Sequence, residues 1–217
     1  LLQELEPHWD KEPKGKDLEL WLSARPWEKP MNEEELQDWT TWWKALPDAW
    51  KEALESEVDD IEDGVPTEEG FFDLRKENHL SLSDNDLETL EPLTRLVRAD
   101  WVSVRKNGIK ELPDLSSLGA LRTLNLEENQ IQDLSPLQNI PLLAKVDLSK
   151  NGLKGELSLP EIPTLRTLDL SLCNKIYIVY FSAIIQCKPL QNTKCSNQNC
   201  RKNVIEFLNQ LIARLKH

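Results

Sequence analysis

"LRTLNLEENQI" spans Leu121–Ile131, and a near copy, "LRTLDLSLCNKI", spans Leu165–Ile176, 44 residues further on. The second copy is one residue longer and carries Cys173 where the first carries Asn129. A phrase repeated in this way points to internal periodicity. Steps of 22 residues from Asn129 land on Asn85, Asn107, Asn151 and Cys173. The same apolar frame surrounds every anchor. Ala99, Leu121, Leu143 and Leu165 stand eight residues before it. Leu80, Val102, Leu124, Val146 and Leu168 stand five before, and Leu82, Val104, Leu126, Leu148 and Leu170 three before. Leu87, Ile109, Ile131 and Leu153 follow by two, then Leu90, Leu112 and Leu134 by five. Leu93, Leu115, Leu137 and Leu159, and then Leu96, Leu118, Ile140 and Ile162, complete the unit.

The pattern has a direct physical meaning. The two leucines of "LxLxxN" alternate, so both face one side of an extended strand, and the residues between them face the other. One such coil cannot bury its leucines alone, but a stack of coils can. The asparagine side chain carries both a donor and an acceptor, and inside a bend it can satisfy backbone groups that have left the strand ladder. Asn85, Asn107, Asn129, Asn151 and Cys173 are therefore expected to form a structural ladder and to do no chemistry.

The consensus LxxLxLxxNxIxxLxxLxxLxx resembles the leucine-rich repeat family. It is most similar to the 22-residue class of bacterial internalins and of a phosphatase-1 regulatory subunit. "EPL" at Glu91–Leu93 and "SPL" at Ser135–Leu137 fit that class. The resemblance covers residues 77–200, about five to six coils. It implies an α/β fold: a right-handed solenoid with short parallel strands on a concave face. Beyond Cys173 the repeat loosens. "LQNTKCSNQN" keeps the phase with Leu190, Thr193 and Cys195, after a longer coil, "KIYIVYFSAIIQCKP", suited to an extra strand or helix. Residues 201–217 place Val204, Leu208, Leu211 and Leu215 on one helical face, as a C-terminal capping helix would.

Ahead of the repeats, residues 32–76 read as a helical N-terminal cap. "NEEELQDWTTWWKAL" has Asn32 as a cap and acids in its first turn. "PDAWKEALESEV" starts at Pro47 with Asp48 as a second cap candidate. Trp39, Trp43, Leu46 and Trp50 share helical spacing, so these tryptophans read as core. The wording "WWKALPDAWKEAL" is similar to the helical caps of bacterial repeat proteins. Residues 1–31 form a Trp- and Pro-containing arm, where Trp9, Trp21 and Trp27 lack periodicity.

The net charge of −12 is unevenly spread: −14 over residues 1–70, −4 over 71–173 and +6 over 174–217. The acidic front argues against nucleic-acid binding, which needs clustered Lys and Arg on phosphates. No stretch approaches the roughly 18 apolar residues of a spanning helix, so no membrane association is expected. No catalytic constellation emerges. His8, His79 and His217 are the only histidines, glycine is scarce at 7, and no phosphate-cradling loop is present. Cys173, Cys187, Cys195 and Cys200 lack a zinc spacing, so neither metal nor cofactor is expected. Cys173 and Cys195 read as buried apolar groups, and a disulfide would most readily join Cys187 to Cys200. Free buried thiols favour a reducing compartment, hence the cytoplasm. The internalin resemblance leaves a secreted or cell-surface location open.

These features predict a non-enzymatic module, most simply a monomer, that binds a protein or peptide on the outward strand residues. One column holds His79, Trp101, Thr123, Lys145 and Thr167, and the next Ser81, Ser103, Asn125, Asp147 and Asp169. A third holds Ser83, Arg105, Glu127, Ser149 and Ser171. Trp101 and Arg105 are of the types that most often anchor interfaces. Glu127, Asp147 and Asp169 form an acidic strip suited to a basic partner. The competing expectation is a carbohydrate- or surface-binding protein that uses its N-terminal tryptophans.

Overall fold

The structure, a computed structural model, describes residues 26–173, 175–181 and 192–195. The expectations placed on residues 1–25, on Cys187 and Cys200, and on the helix over 201–217 lie outside this range. The described residues form two compact units. One comprises residues 26–45 and 58–76, the other residues 46–57 and everything from 77 onward.

Two helices form where the sequence places them: α1 over Glu33–Ala45 and α2 over Asp48–Glu55. Asn32 caps α1 by accepting the Glu35 amide at 2.8 Å, and the Glu35 carboxylate accepts the Asn32 amide in return at 3.2 Å. This reciprocal capping box satisfies two of the free donors at the helix start. The α2 start differs from expectation. Pro47 is the cap and makes no side-chain bond, and Asp48 is the first helical residue. There its carboxylate favours the helix dipole and pairs with Lys51 at 3.7 Å.

The first unit continues through a two-residue hairpin, β1 (Ile61–Glu62) and β2 (Val65–Pro66), into α3 (Glu68–Lys76). Trp39 and Trp43 of α1 pack on Phe71 of α3, with ring centroids 5.8 and 6.2 Å apart. The Trp43 indole N–H donates to the Gly64 carbonyl at 3.0 Å in the hairpin turn, so its one polar atom is satisfied in the core. Gly70 is required here: a Cβ on it would stand 2.5 Å from the Asp60 carbonyl oxygen.

The second unit carries the repeats. Strands β3 (His79–Ser81), β4 (Trp101–Ser103), β5 (Thr123–Asn125) and β6 (Lys145–Asp147) are followed by β7 (Lys154–Leu159) and β8 (Thr167–Leu170). β9 (Lys175–Phe181) and β10 (Asn192–Cys195) complete the set. Six of them form one parallel sheet in the order β10-β8-β6-β5-β4-β3. The starts of β3, β4, β5, β6 and β8 are 22 residues apart, and pairing is residue for residue: His79 with Trp101, Trp101 with Thr123, Thr123 with Lys145, Lys145 with Thr167. β10 continues the register, with Thr193 beside Leu168 and Cys195 beside Leu170.

The inward leucines and valines of β3, β4, β5, β6 and β8 are buried, as are the apolar scaffold residues around them from Leu87 to Leu153 and at Ile162 and Leu165. Each fully buried side chain of this size contributes about 1.5–3 kcal/mol, so the repeated row dominates the stability of the unit. The result is an α/β leucine-rich-repeat fold. Behind the sheet, 3-10 turns at Glu91–Arg95 and Ser135–Asn139 carry the "EPL" and "SPL" motifs, with proline near the start of each. The last coils exchange such turns for β7 and β9, which pair in parallel with a bulge between Gly155 and Glu156. The long coil after Cys173 thus carries a strand. β7 was not anticipated. α2 belongs to this unit, where the Trp50 indole N–H donates to the Thr89 carbonyl at 2.9 Å.

Candidate functional site

β3, β4, β5, β6 and β8 turn their odd residues outward, so register pairing stacks them in columns across the sheet. At the β3 end the rings of His79 and Trp101 lie parallel, with centroids 3.9 Å apart and planes inclined by 2°. His79 is exposed and Trp101 half-buried. Thr123, Lys145 and Thr167 continue the column. Thr123 and Thr167 are half-buried, and Lys145 is exposed.

Two carboxylates flank the His79 strand, and the sequence reading missed both. Glu77 accepts the His79 amide at 2.8 Å and the Asn78 amide at 2.9 Å. Glu57 accepts the Ser81 amide at 3.4 Å. Burial pushes the Glu57 carboxyl above its ordinary value; the Ser81 bond opposes that shift and the charge of Glu77 adds to it.

In the second column, Asn125, Asp147 and Asp169 each accept the backbone N–H two residues on, at 2.9 Å in all three cases. This is an Asx turn, and it ends the strand. Asp147 Oδ1 also accepts the Ser149 hydroxyl at 2.6 Å. Ser103 departs from expectation. It is only 3% exposed, and its hydroxyl meets that of Ser83 at 2.9 Å. Flanked by β3 on one side and β5 on the other, Ser103 is withdrawn from the contact surface, whereas the equally short Ser81 on the edge strand stays exposed.

The third column holds a charge cluster. Lys150 Nζ lies 2.7 Å from Glu127 and 3.2 Å from Glu128, and Arg105 Nε lies 3.5 Å from Glu127. The hydrogen bonds to Glu127 and Glu128 raise the Lys150 ammonium above its ordinary value. The acidic strip is therefore not a free line of charge. Glu127 is bridged to two cations, and Asp147 and Asp169 are committed to turns. Lys150 escaped the strand alternation because it lies in the bend, in a left-handed conformation shared by Asp84, Lys106, Glu128 and Leu172, each one residue before an anchor.

The anchors make a ladder of bonds. Asn107 Oδ1 accepts the Leu87 amide at 2.9 Å and the Asn85 amide at 3.1 Å. Its amide donates to the carbonyls of Leu82 in the preceding coil and of Val104 in its own. Asn129 repeats this with Ile109, Val104 and Leu126, and Asn151 with Ile131, Leu126 and Leu148. Asn85, in the first coil, donates to Ser83 at 2.9 Å. Cys173 keeps the inter-coil donor bond, Sγ to the Leu148 carbonyl at 3.2 Å. Burial raises its thiol pKa, which makes it a poor nucleophile.

Elsewhere, the first unit holds a cavity of about 680 Å³ lined by Pro30, Asp60, Glu62, Thr67, Glu68, Glu69 and Phe72. Among the described residues, no group of His, Cys, Asp and Glu side chains is placed to hold a metal ion, and no helix is long and apolar enough to cross a membrane. Trp39, Trp43 and Trp50 are buried, which removes them from any sugar-binding surface; Trp27 is half-buried.

No protein-family model matches the chain, and no curated protein matches it. Among solved structures it is similar to internalin C2 of Listeria monocytogenes strain 4b F2365, at 16% identity and a TM-score of 0.40, covering 70% of this chain and 76% of that one. It is also similar to internalin F of the same strain, at 12% identity and a TM-score of 0.35, covering 72% of this chain and 66% of that one.

Proposed function

We propose that the chain is a non-enzymatic interaction module that binds a protein or peptide on the concave face of a right-handed solenoid. A crossover between parallel strands is right-handed in about 98% of cases. Five strands on a constant step, returning through turns on the opposite side, support that winding. α2 serves as an N-terminal cap, supported by the Trp50–Thr89 bond. The helix expected over residues 201–217 closes the other end, since a repeat stack needs a polar cover at each terminus.

The observation that carries the reading is the division of labour in each coil. The inward leucines and valines of β3, β4, β5, β6 and β8 are buried, as are the ladder residues Asn107, Asn129, Asn151 and Cys173. The outward positions instead vary in charge and size, from His79 and Trp101 to Lys145 and Asp169. Nothing in the scaffold requires a tryptophan at position 101, where the other coils carry His or Thr or Lys. Trp is among the commonest energetic anchors of interfaces. The net charge of −12 would speed the approach of a basic partner. The module acts as a monomer, and the buried thiol of Cys173 supports a cytoplasmic setting.

The test is affinity capture with immobilised wild-type chain and with Lys145→Glu and Thr167→Arg variants. A partner held by the wild type and released by face variants of unchanged thermal midpoint supports the reading. Equal capture by all three chains contradicts it.

A further inference from the structure

We infer that the face holds a slot for one aromatic side chain of a peptide partner, over Thr123, between the ring of Trp101 and the ammonium of Lys145. The inference rests on the reading of this sheet face as the binding surface and adds the chemistry of its anchor.

The geometry follows from the register. His79 and Trp101 are direct cross-strand neighbours, and adjacent strands lie about 4.8 Å apart. Their rings stack at 3.9 Å in nearly parallel planes, so the stack runs across the strands. The face of Trp101 turned away from His79 therefore looks along the column toward Thr123, its partner on β5. Threonine has no ring to extend the stack. Lys145 follows on β6. Trp101 and Lys145 are thus two strands apart, about 9.6 Å. That separation leaves room for one ring in the middle, stacked on the indole on one side and facing the ammonium on the other.

Charge selects the occupant. An aromatic ring carries negative potential on its faces, which complements an ammonium above it. Lys145 is exposed, and no ion pair or hydrogen bond engages its ammonium among the described residues. A guanidinium would stack equally well on Trp101, but it would face the ammonium of Lys145, a like charge. The nearest carboxylate by register, Asp147, two residues along β6 from Lys145, already accepts the Ser149 amide and hydroxyl. A neutral ring meets no such repulsion, and offset-stacked aromatic pairs are favourable beyond the area they bury.

The test is selection of a random peptide library displayed on phage against the full chain. Enriched peptides are expected to share one Phe, Tyr or Trp at a fixed place. Replacing it with alanine should cost tenfold or more in affinity. Trp101→Ala should cost the same, and Lys145→Met, which keeps the stem and removes the charge, about threefold. Thr123→Trp, which fills the slot, should abolish binding, whereas Thr123→Ser should not. Peptides that bind without an aromatic and tolerate Thr123→Trp, but are lost with Thr167→Arg, overturn the slot and leave the face reading standing. Peptides indifferent to every face variant overturn both. A library that yields no face-dependent peptide, or a face that retains an arrayed glycan instead, overturns the peptide occupant.

Discussion

Asn129 donates its side-chain amide to the carbonyl of Val104, 2.9 Å away and 25 residues earlier in the chain. That single bond crosses from one coil to the previous one. The same side chain accepts the Ile109 amide at 3.1 Å and reaches Leu126 at 3.1 Å. Alanine at position 129 would leave these buried backbone groups without partners, at about 1–3 kcal/mol for each group left unpaired. Asn129→Ala should therefore destabilise the repeat unit by about 3 kcal/mol, read as a lower urea midpoint with an unchanged slope. Asn85→Ala should cost less, since Asn85 is half-buried and makes one side-chain bond to Ser83.

Leu172 sits at φ 60 and is 52% exposed. A left-handed backbone is costly for a residue with a bulky side chain and nearly free for glycine or asparagine. Leu172→Asn should raise stability by about 0.5–1 kcal/mol, seen as a higher thermal midpoint. Lys150 shares the conformation at φ 57, but Lys150→Gly also removes its contacts with Glu127 and Glu128. Its gain should be smaller, and it should grow in high salt.

Glu57 gives a pH signature. Its carboxyl is raised from the ordinary 4.5 chiefly by burial, with repulsion from Glu77 adding. The folded state therefore holds the proton more tightly than the unfolded one. Its contribution is full below pH 4.5 and is lost as pH rises through the folded value. Glu57→Gln keeps an acceptor for the Ser81 amide and removes the charge. The variant should be more stable than wild type at pH 7, and the difference should close by pH 4. A gap that is the same at both pH values would show that the substitution acts through packing instead.

Cys173 is 1% exposed and its thiol is raised by burial. A disulfide reagent at pH 8 should leave Cys173 unlabelled in the native chain and label it in denaturant, as peptide mapping of the modified protein would show. Rapid native labelling at this position would contradict its burial in the ladder.

The scaffold was legible because burial obeys a period. Leu124 and Leu126 recur with the strand and Asn129 with the bend, so identity at one coil forecasts it at the next. Features that depend on the flanking strands or on local backbone geometry were not. Ser103 shares a column with Ser81, Asn125 and Asp147, yet it is buried between its flanking strands with its hydroxyl against that of Ser83. Asp147 looks like a surface charge in the sequence, but its geometry makes it an Asx acceptor. In the first unit, α3 had a readable start: Thr67, then Glu68 and Glu69, with Arg75 and Lys76 at the far end. The Thr67 hydroxyl does accept the Gly70 amide at 3.3 Å. The two-residue strands before it are too short to show any alternation. β7 had a signal in the alternation of "ELSL", masked because its Leu159 and the following Ile162 also fit the repeat frame.

The central claim is that the scaffold and the binding face are separable, with Trp101 on the face. The most direct measurement is the affinity of a face-selected peptide for the Trp101→Ala chain beside its unfolding free energy. Affinity should fall tenfold or more, while stability falls by no more than about 1.5 kcal/mol, the worth of its stack on His79. Unchanged affinity, or a loss of several kcal/mol in stability, would contradict the claim and make Trp101 part of the fold.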